Sequence, residues 1–437
     1  YPRKDLRKPC KRDIEGMKAN CLALSEALSV VCQDITGLTV GSEVYKRFII
    51  SAAHSFCRIK FPDLTTLPCT DTLSQDAYVR KSYRGGYNYV NPAIAGKTIR
   101  GGYTMDRHAA YAYVMMNYGL PYLDGHFREG KPEYKSSGIK GNPENTYYFV
   151  HVNVMFELKP GKVPTVQVKD SLLYDHRVYL EKSAVYDFEK KVYLDRLRHI
   201  ELWFTQDDFE LFQEHYDIRD IEYLDYIWFY RAPRELFVGF LDHYKTIEEQ
   251  SVGAKRRLAK LFRNNLYGQF GKKQVRNFAM PTEIDKGYVD YEEKEATVRL
   301  RGNIATACAI AAIARRIEVE AIQANYDKFL YADTDSIHLK GKPKEFVGSV
   351  GREYGQFKIE SIWKRAKFLK LKTYIEELDN GSVLVRAAGM SEDQMIDFRN
   401  RLQFKDFKVG LSIKGGKTKP VRVPGGVIRR PVDFTIR

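Results

Sequence analysis

The chain has 437 residues, 44% of them hydrophobic, so it can bury substantial cores and wholesale disorder is not expected. Its 71 Lys and Arg against 56 Asp and Glu leave a formal charge of +15, which favours a polyanionic partner, most simply nucleic acid. No apolar run approaches the roughly 20 residues that span a bilayer, no signal peptide is visible, and no two of the six cysteines stand at C-x-x-C spacing, so neither a membrane protein nor a zinc knuckle is expected. Five cysteines (Cys10, Cys21, Cys32, Cys57, Cys69) cluster early and only Cys308 lies beyond; the rest reads as a reduced, intracellular chain. At about 150 residues per domain the length predicts two to four domains. The chain opens on Tyr1 without Met, so a segment upstream is expected.

In chain order, residues 1–19 are charged and loop-like, and 20–34 have helical periodicity. Residues 82–89 (SYRGGYNY) are Gly-rich and aromatic, and 101–117 read as a strand feeding a helix. Residues 118–235 form a long polar and aromatic region with strand-like runs at 147–156 and 221–230 and no catalytic cluster, the pattern of an insertion. Residues 236–271 are helical, 272–300 alternate like a hairpin, 303–326 form an Ala-rich helix and 327–341 a second hairpin. The tail, 396–437, is basic and rich in Gly and Pro.

The sharpest chemical signal is 329–339, FLYADTDSIHL. Residues two apart share a face of an extended chain, so Asp333 and Asp335 are predicted to point together from a tight turn. Two adjoining carboxylates repel unless a cation neutralises them. Mg²⁺ favours few carboxylates plus substrate phosphates, which suits a metal-bound nucleotide. Asp106, in YTMDRHAAYAY at 103–113, ends a strand-like run and is a third candidate. A two-cation site needs carboxylates from separate segments. In 249–270 (EQSVGAKRRLAKLFRNNLYGQF), Arg256, Lys260, Arg263 and Tyr267 form one helical stripe, and Leu258, Phe262 and Leu266 an apolar one. Lys260 to Tyr267 is about 10 Å along the axis, about the length of an extended nucleotide.

Carboxylate, basic helix and carboxylate hairpin, in that order, resemble the family B DNA polymerases, and in detail their protein-primed branch. Asp106 with Tyr111 resembles D-x-x-S-L-Y-P, KLFRNNLYG at 260–268 resembles K-x-x-x-N-S-x-Y-G, and YADTDS at 331–336 matches the hairpin motif. Tyr83-Arg84-Gly85-Gly86 resembles Y-x-G-G, Lys372-Thr373-Tyr374 resembles K-x-Y, and Ala314-Arg315 resembles the end of T-x-x-A-R; VPGGV and FTIR in the tail look like the same family. The likeness runs from about residue 80 to the C-terminus.

The resemblance implies an α+β right-hand polymerase. Residues 69–117 and 303–395 would be the palm, 236–271 the fingers and 396–437 the thumb. Residues 118–235 would be an insertion near the terminal priming protein and template, 272–302 a second giving processivity and strand displacement, and 1–68 the remnant of an exonuclease region. It implies two Mg²⁺ (replaceable by Mn²⁺) held by Asp106, Asp335 and the Arg107 carbonyl, with Asp333 in support. Nucleotide would meet Tyr111, Arg256, Lys260, Asn264, Tyr267 and Gly268. Tyr83, Gly85, Gly86, Arg315, Thr334, Lys372, Tyr374, Lys414, Lys417 and Lys419 would meet DNA. The partners implied are template and primer DNA, dNTPs and a terminal priming protein, with no membrane, for a monomer in a host cytoplasm.

The chain departs from the pattern at Ala109, Ala110 and Ala112, at Asn265 for Ser, at Ala311 for Thr, and at Gln269 and Glu248 for lysines. Residues 16–28 look like the last exonuclease motif with Gly16 and Asn20 at its Tyr and Asp, so no proofreading is expected. A catalytically weakened DNA-binding replication protein, an RNA-directed polymerase and a primer-independent relative are the alternatives. Asp-Thr-Asp rather than adjacent Asp-Asp disfavours the RNA-directed one.

Overall fold

The computed structural model describes residues 73–134, 138–166, 183–187, 192–196, 199–273, 275–285, 288–298, 303–390, 402–423 and 426–436. The expectations for 1–68, including Gly16 and Asn20, lie outside the described residues.

The elements in chain order are α1 (Leu73–Lys81), β1 (Tyr87–Val90), β2 (Thr98–Arg107), α2 (Ala110–Asn117), β3 (Pro121–Glu129), β4 (Thr146–Leu158), β5 (Ser183–Asp187), β6 (Val192–Arg196), β7 (Ile200–Thr205), α3 (Gln206–His215) and β8 (Tyr216–Arg231). Then come α4 (Val238–Gln250), α5 (Gly253–Phe270), β9 (Val275–Asp285), β10 (Tyr288–Val298), α6 (Ile304–Ala324), β11 (Phe329–Thr334) and β12 (Ser336–Lys340). The chain continues with β13 (Phe357–Lys370), β14 (Thr373–Leu378), β15 (Val383–Ala387), β16 (Ser412–Val423) and β17 (Gly426–Thr435).

A seven-stranded sheet in the order β1-β11-β12-β2-β13-β14-β15 joins segments on both sides of the long insertion. One face is backed by α6, whose alanines let neighbours approach closely and whose Asn303 cap accepts a hydrogen bond from the Thr306 amide. Val319 and Ile322 of α6 pack with Tyr103 and Met105 of β2 and Ile337 of β12. The other face carries a buried polar knot. The Glu376 carboxylate accepts from Thr104 Oγ1 (2.6 Å) and Ser361 Oγ (2.7 Å) and meets His338 Nδ1 at 2.8 Å. Burial would raise that carboxyl, but these bonds outweigh it and hold it below the ordinary glutamate range.

The insertion contains a separate antiparallel sheet, β3-β8-β4-β7, packed through Phe156, Phe204, Phe209, Phe212 and Trp228 with α3 across it. Thr205 caps α3 by accepting from the Asp208 amide. The helical stretch 236–271 is two helices rather than one. Gly253 takes φ +63° at the start of α5, a conformation that favours glycine, and the chain breaks at Ser251 and Val252. Tyr244 then packs edge-on to Phe262, fixing α4 against α5. β9 and β10 form the expected hairpin, β16 pairs with β17, and β10 approaches β16. Among the described residues no helix is long and apolar enough to cross a membrane.

Candidate functional site

The hairpin of β11 and β12 sits beside β2, with Ser336 opposite Asp333 on one side and opposite Asp106 on the other. The Arg107 amide donates to the Asp335 carbonyl at 2.7 Å, which locks the turn against the end of β2. Carboxylates from two segments far apart in sequence, Asp106 and the Asp333–Asp335 turn, thus meet at one strand end. Thr334, between the two hairpin aspartates, has φ +67°, so they do not follow simple strand alternation. Asp333 turns to Lys372 Nζ at 3.0 Å, whereas Asp335 is drawn inward. Burial, then the charges of Asp106 and Asp333, push the Asp335 carboxyl up to about 6. Asp106 pairs with Lys358 Nζ at 3.2 Å.

Among the described residues no three His, Cys, Asp or Glu side chains form a ready metal cage. Mg²⁺ does not need one, because it binds through one or two carboxylates and completes its shell with water and phosphate oxygens. Asp335, raised by burial and by the charges of Asp106 and Asp333 and without a side-chain cation against it, fits that demand beside Asp106.

The Y-x-G-G segment abuts the carboxylate turn, since β1 pairs with β11 through Tyr87–Thr334 and Asn88–Asp333. A Cβ on Gly86 would lie 2.5 Å from Thr334 Cγ2, so only glycine fits there. Tyr83 and Tyr267 share a hydroxyl–hydroxyl hydrogen bond of 2.7 Å, and Tyr267 stacks on Tyr111 at 4.4 Å between ring centres. Burial pushes the Tyr111 hydroxyl up to about 12, so it is neutral. Along α5, Arg256, Lys260 and Asn264 are exposed, and beside Gly268 there is open space. Lys414, Lys417 and Lys419 are exposed on β16.

Three assignments are corrected by burial. Arg315, expected on DNA, is 3% exposed. Its guanidinium pairs with Asp208 at 2.6 Å and donates to the Arg84 and Gly85 carbonyls. It therefore ties the Y-x-G-G loop to the insertion. Tyr374, also expected on DNA, is 4% exposed and sits among Tyr331, His338 and Phe368. Arg263 leaves the cationic stripe, being buried against Glu248 at 2.9 Å and lying over the Tyr354 ring. Lys372 is at the site, but on Asp333, and its amide donates to the Tyr331 hydroxyl at 2.6 Å.

Sequence reasoning missed two further acids. Desolvation and the charges of Asp106 and Glu376 raise the Glu360 carboxyl on β13. Glu318 on α6 lies within electrostatic reach of Asp335 and Asp106. Neither stands in a spacing that marks it; only the topology brings them near.

The family described as DNA polymerase type B, organellar and viral, matches residues 4–345. The DNA polymerase of Bacillus phage phi29 is 32% identical, with 96% of this chain and 71% of that protein covered. The DNA polymerase of Bacillus phage Nf is 30% identical, covering 97% of this chain and 72% of that protein. The structure of phi29 DNA polymerase complexed with primer-template DNA and incoming nucleotide substrates superposes with a TM-score of 0.76 at 30% identity, over 93% of this chain and 70% of that one.

Proposed function

The chain belongs to the organellar and viral type B DNA polymerases, and from that premise we propose that Asp106 and Asp335 hold the cations of a two-metal nucleotidyl transfer. It is a DNA-directed DNA polymerase with the right-hand fold of its relatives. The observation that supports the metal reading is the convergence of Asp106 and Asp335 at the end of β2, bonded through the Arg107 amide. Mg²⁺, when bound, would supply the charge that activates a primer 3′-OH and steadies the pyrophosphate.

The chain's own groups do the rest. The Arg107 carbonyl completes the cation site, and Asp333 keeps Lys372 beside the turn. Lys260 and Arg256 meet the triphosphate from the exposed face of α5, with Asn264 and Gly268 alongside. Tyr111 lies under the sugar and excludes a 2′-OH, while Tyr267 packs on the nascent base pair. Tyr83, Gly85, Gly86 and Thr334 guide DNA past the turn. Lys414, Lys417 and Lys419 meet duplex phosphates, with a steep salt dependence.

We read 69–117 with 303–395 as the palm, 236–271 as fingers and 396–437 as thumb. The insertion 118–235 receives a terminal priming protein. Region 272–302, which approaches β16, helps encircle DNA for processivity and strand displacement. The protein works as a monomer in the cytoplasm of a host cell, on primer–template DNA and dNTPs.

The test is primer extension with Mg²⁺ and dNTPs on a template carrying a downstream blocking strand. Full-length product that disappears in Asp335→Ala is expected; no product with DNA binding intact would overturn the catalytic assignment. Labelled nucleotide attached to a candidate terminal protein tests the priming mode, and extension without any primer or protein would replace it.

A further inference from the structure

The loop between β12 and β13 is fastened to the chain just past the end of β2. The His108 amide donates to the Gln356 carbonyl at 2.9 Å, and the His108 carbonyl accepts from the Gly355 amide at 2.7 Å. The His108 ring donates through Nδ1 to the Arg352 carbonyl, also at 2.9 Å. Gly355 has φ +83°, and a Cβ there would run into the Tyr113 ring of α2, so glycine is required for this approach. Tyr354 lies inside the fastened loop, half-buried, with its ring edge-on to His108 at 5.2 Å between ring centres.

Two cations from the helical pair reach that ring. The Arg263 guanidinium of α5 lies 4.9 Å from the Tyr354 ring centre, and Lys245 Nζ of α4 lies 4.8 Å from it. Both distances are within the range in which a cation is drawn to an aromatic face. Arg263 Nε and Nη2 are taken by Glu248 of α4 at 3.1 and 2.9 Å, while Nη1 makes no hydrogen bond to any described residue. Glu248 is one of the chain's departures from the motif pattern. Its carboxylate serves to fix the arginine that rests on the ring. Arg263 stands within one turn of both Lys260 and Tyr267. Since Tyr267 is stacked on Tyr111, α5 is seated at two points about a turn apart, one on Tyr111 and one on Tyr354.

We propose that Tyr354 is a positioning residue for nucleotide binding: its ring seats Arg263 and Lys245 against the loop held at the end of β2, and so fixes the exposed Lys260 and Arg256 of α5 relative to Asp106 and Asp335. This rests on the reading of α5 as the helix that meets the triphosphate. Tyr354 touches no nucleotide and acts only through the helix.

The test is single-nucleotide primer extension by the full chain at saturating primer–template DNA, which gives KM for dNTP. DNA affinity without dNTP and a melting curve are measured on the same preparations. Tyr354→Leu keeps apolar bulk but removes the ring. It should raise KM for dNTP roughly 3- to 10-fold, the size of the lost cation–ring contacts, and leave DNA affinity unchanged. Tyr354→Phe keeps the ring face and should stay within about twofold of the wild type. Lys245→Met, at a partly exposed position, should raise KM in the same direction by less, and it decides alone if the melting curve shows Tyr354→Leu unfolded. Adding Lys260→Ala to Tyr354→Leu should give less than the product of the two single effects, because both act through one helix. Wild-type KM in Tyr354→Leu and Lys245→Met, an equal rise in Tyr354→Phe, a matching loss of DNA affinity, or a fully multiplicative double variant would overturn the proposal. Lys260→Ala separates the two levels. If its KM for dNTP is that of the wild type, the reading of α5 itself fails; if it is raised while Tyr354→Leu and Lys245→Met are not, only the positioning role fails.

Discussion

Two helices of this molecule carry cations that a motif reading assigns to a ligand, nucleotide on α5 and DNA on α6, and the structure gives them opposite fates. On α5, Arg256 and Lys260 stand in solvent and only Arg263 turns inward. On α6, Arg315 is consumed by Asp208 and two loop carbonyls. A cation in solvent is available to a ligand at little cost to the fold. A cation in the interior is a strut, and its ligands are already chosen.

The largest expected effect comes from the strut. Arg315→Ala leaves Asp208 without its partner and should cost about 3–5 kcal/mol of stability, read as a fall in melting temperature. An unchanged melting temperature would break the contrast. Lys260→Ala should do the reverse, changing stability by under about 0.5 kcal/mol while raising KM for dNTP roughly 10- to 100-fold. Steady-state kinetics with a melting curve on the same preparation decides it.

Asp335 sharpens the comparison with pH, because it is neither fully exposed nor paired. Its carboxyl, raised to about 6, is increasingly protonated below that pH in the cation-free protein. The Mg²⁺ concentration for half-maximal extension should climb as pH falls through 6, by up to about tenfold per unit. For stability the sign is opposite. The folded state holds this proton more tightly than the unfolded one, so the carboxyl destabilises the cation-free fold at neutral pH and that cost fades as pH falls from 6 toward 4. The smallest effect is that of Tyr83→Phe. Loss of the bond to Tyr267 should cost about 0.5–1.5 kcal/mol, visible as a modest rise in KM for dNTP with the melting curve little moved.

Much of this was legible from the residues alone. FLYADTDSIHL folds as the predicted hairpin, although the left-handed Thr334 breaks the alternation between its two aspartates, and the apolar stripe Leu258, Phe262 and Leu266 is buried as expected. The motifs located Tyr83, Tyr111 and Tyr267 without revealing that they touch one another. Motif spacing gives a residue's place in the chain and not its exposure, which is why Arg315, Tyr374 and Arg263 were placed on the outside. Their partners, Asp208, His338 and Glu248, lie 107, 36 and 15 residues away. Glu318 and Glu360 were missed for the same reason: a single acid in an Ala-rich helix or on a strand carries no spacing signal. The break before Gly253 did have one, in the Ser-Val-Gly tripeptide, but the strong periodicity on either side concealed it.

The knot at Glu376 has a bearing on how the molecule opens. Thr104, His338, Ser361 and Glu376 lie on β2, β12, β13 and β14, so one buried carboxylate cross-links four neighbouring strands. Such strands separate together rather than one by one, and their amides should be among the last to exchange with solvent deuterium. The strand that carries Asp106 and the strand that begins beside Asp335 both belong to this group. The paired hairpins β9–β10 and β16–β17, each a two-stranded sheet of its own, can therefore open and close by local unfolding while Asp106, Asp333 and Asp335 stay assembled.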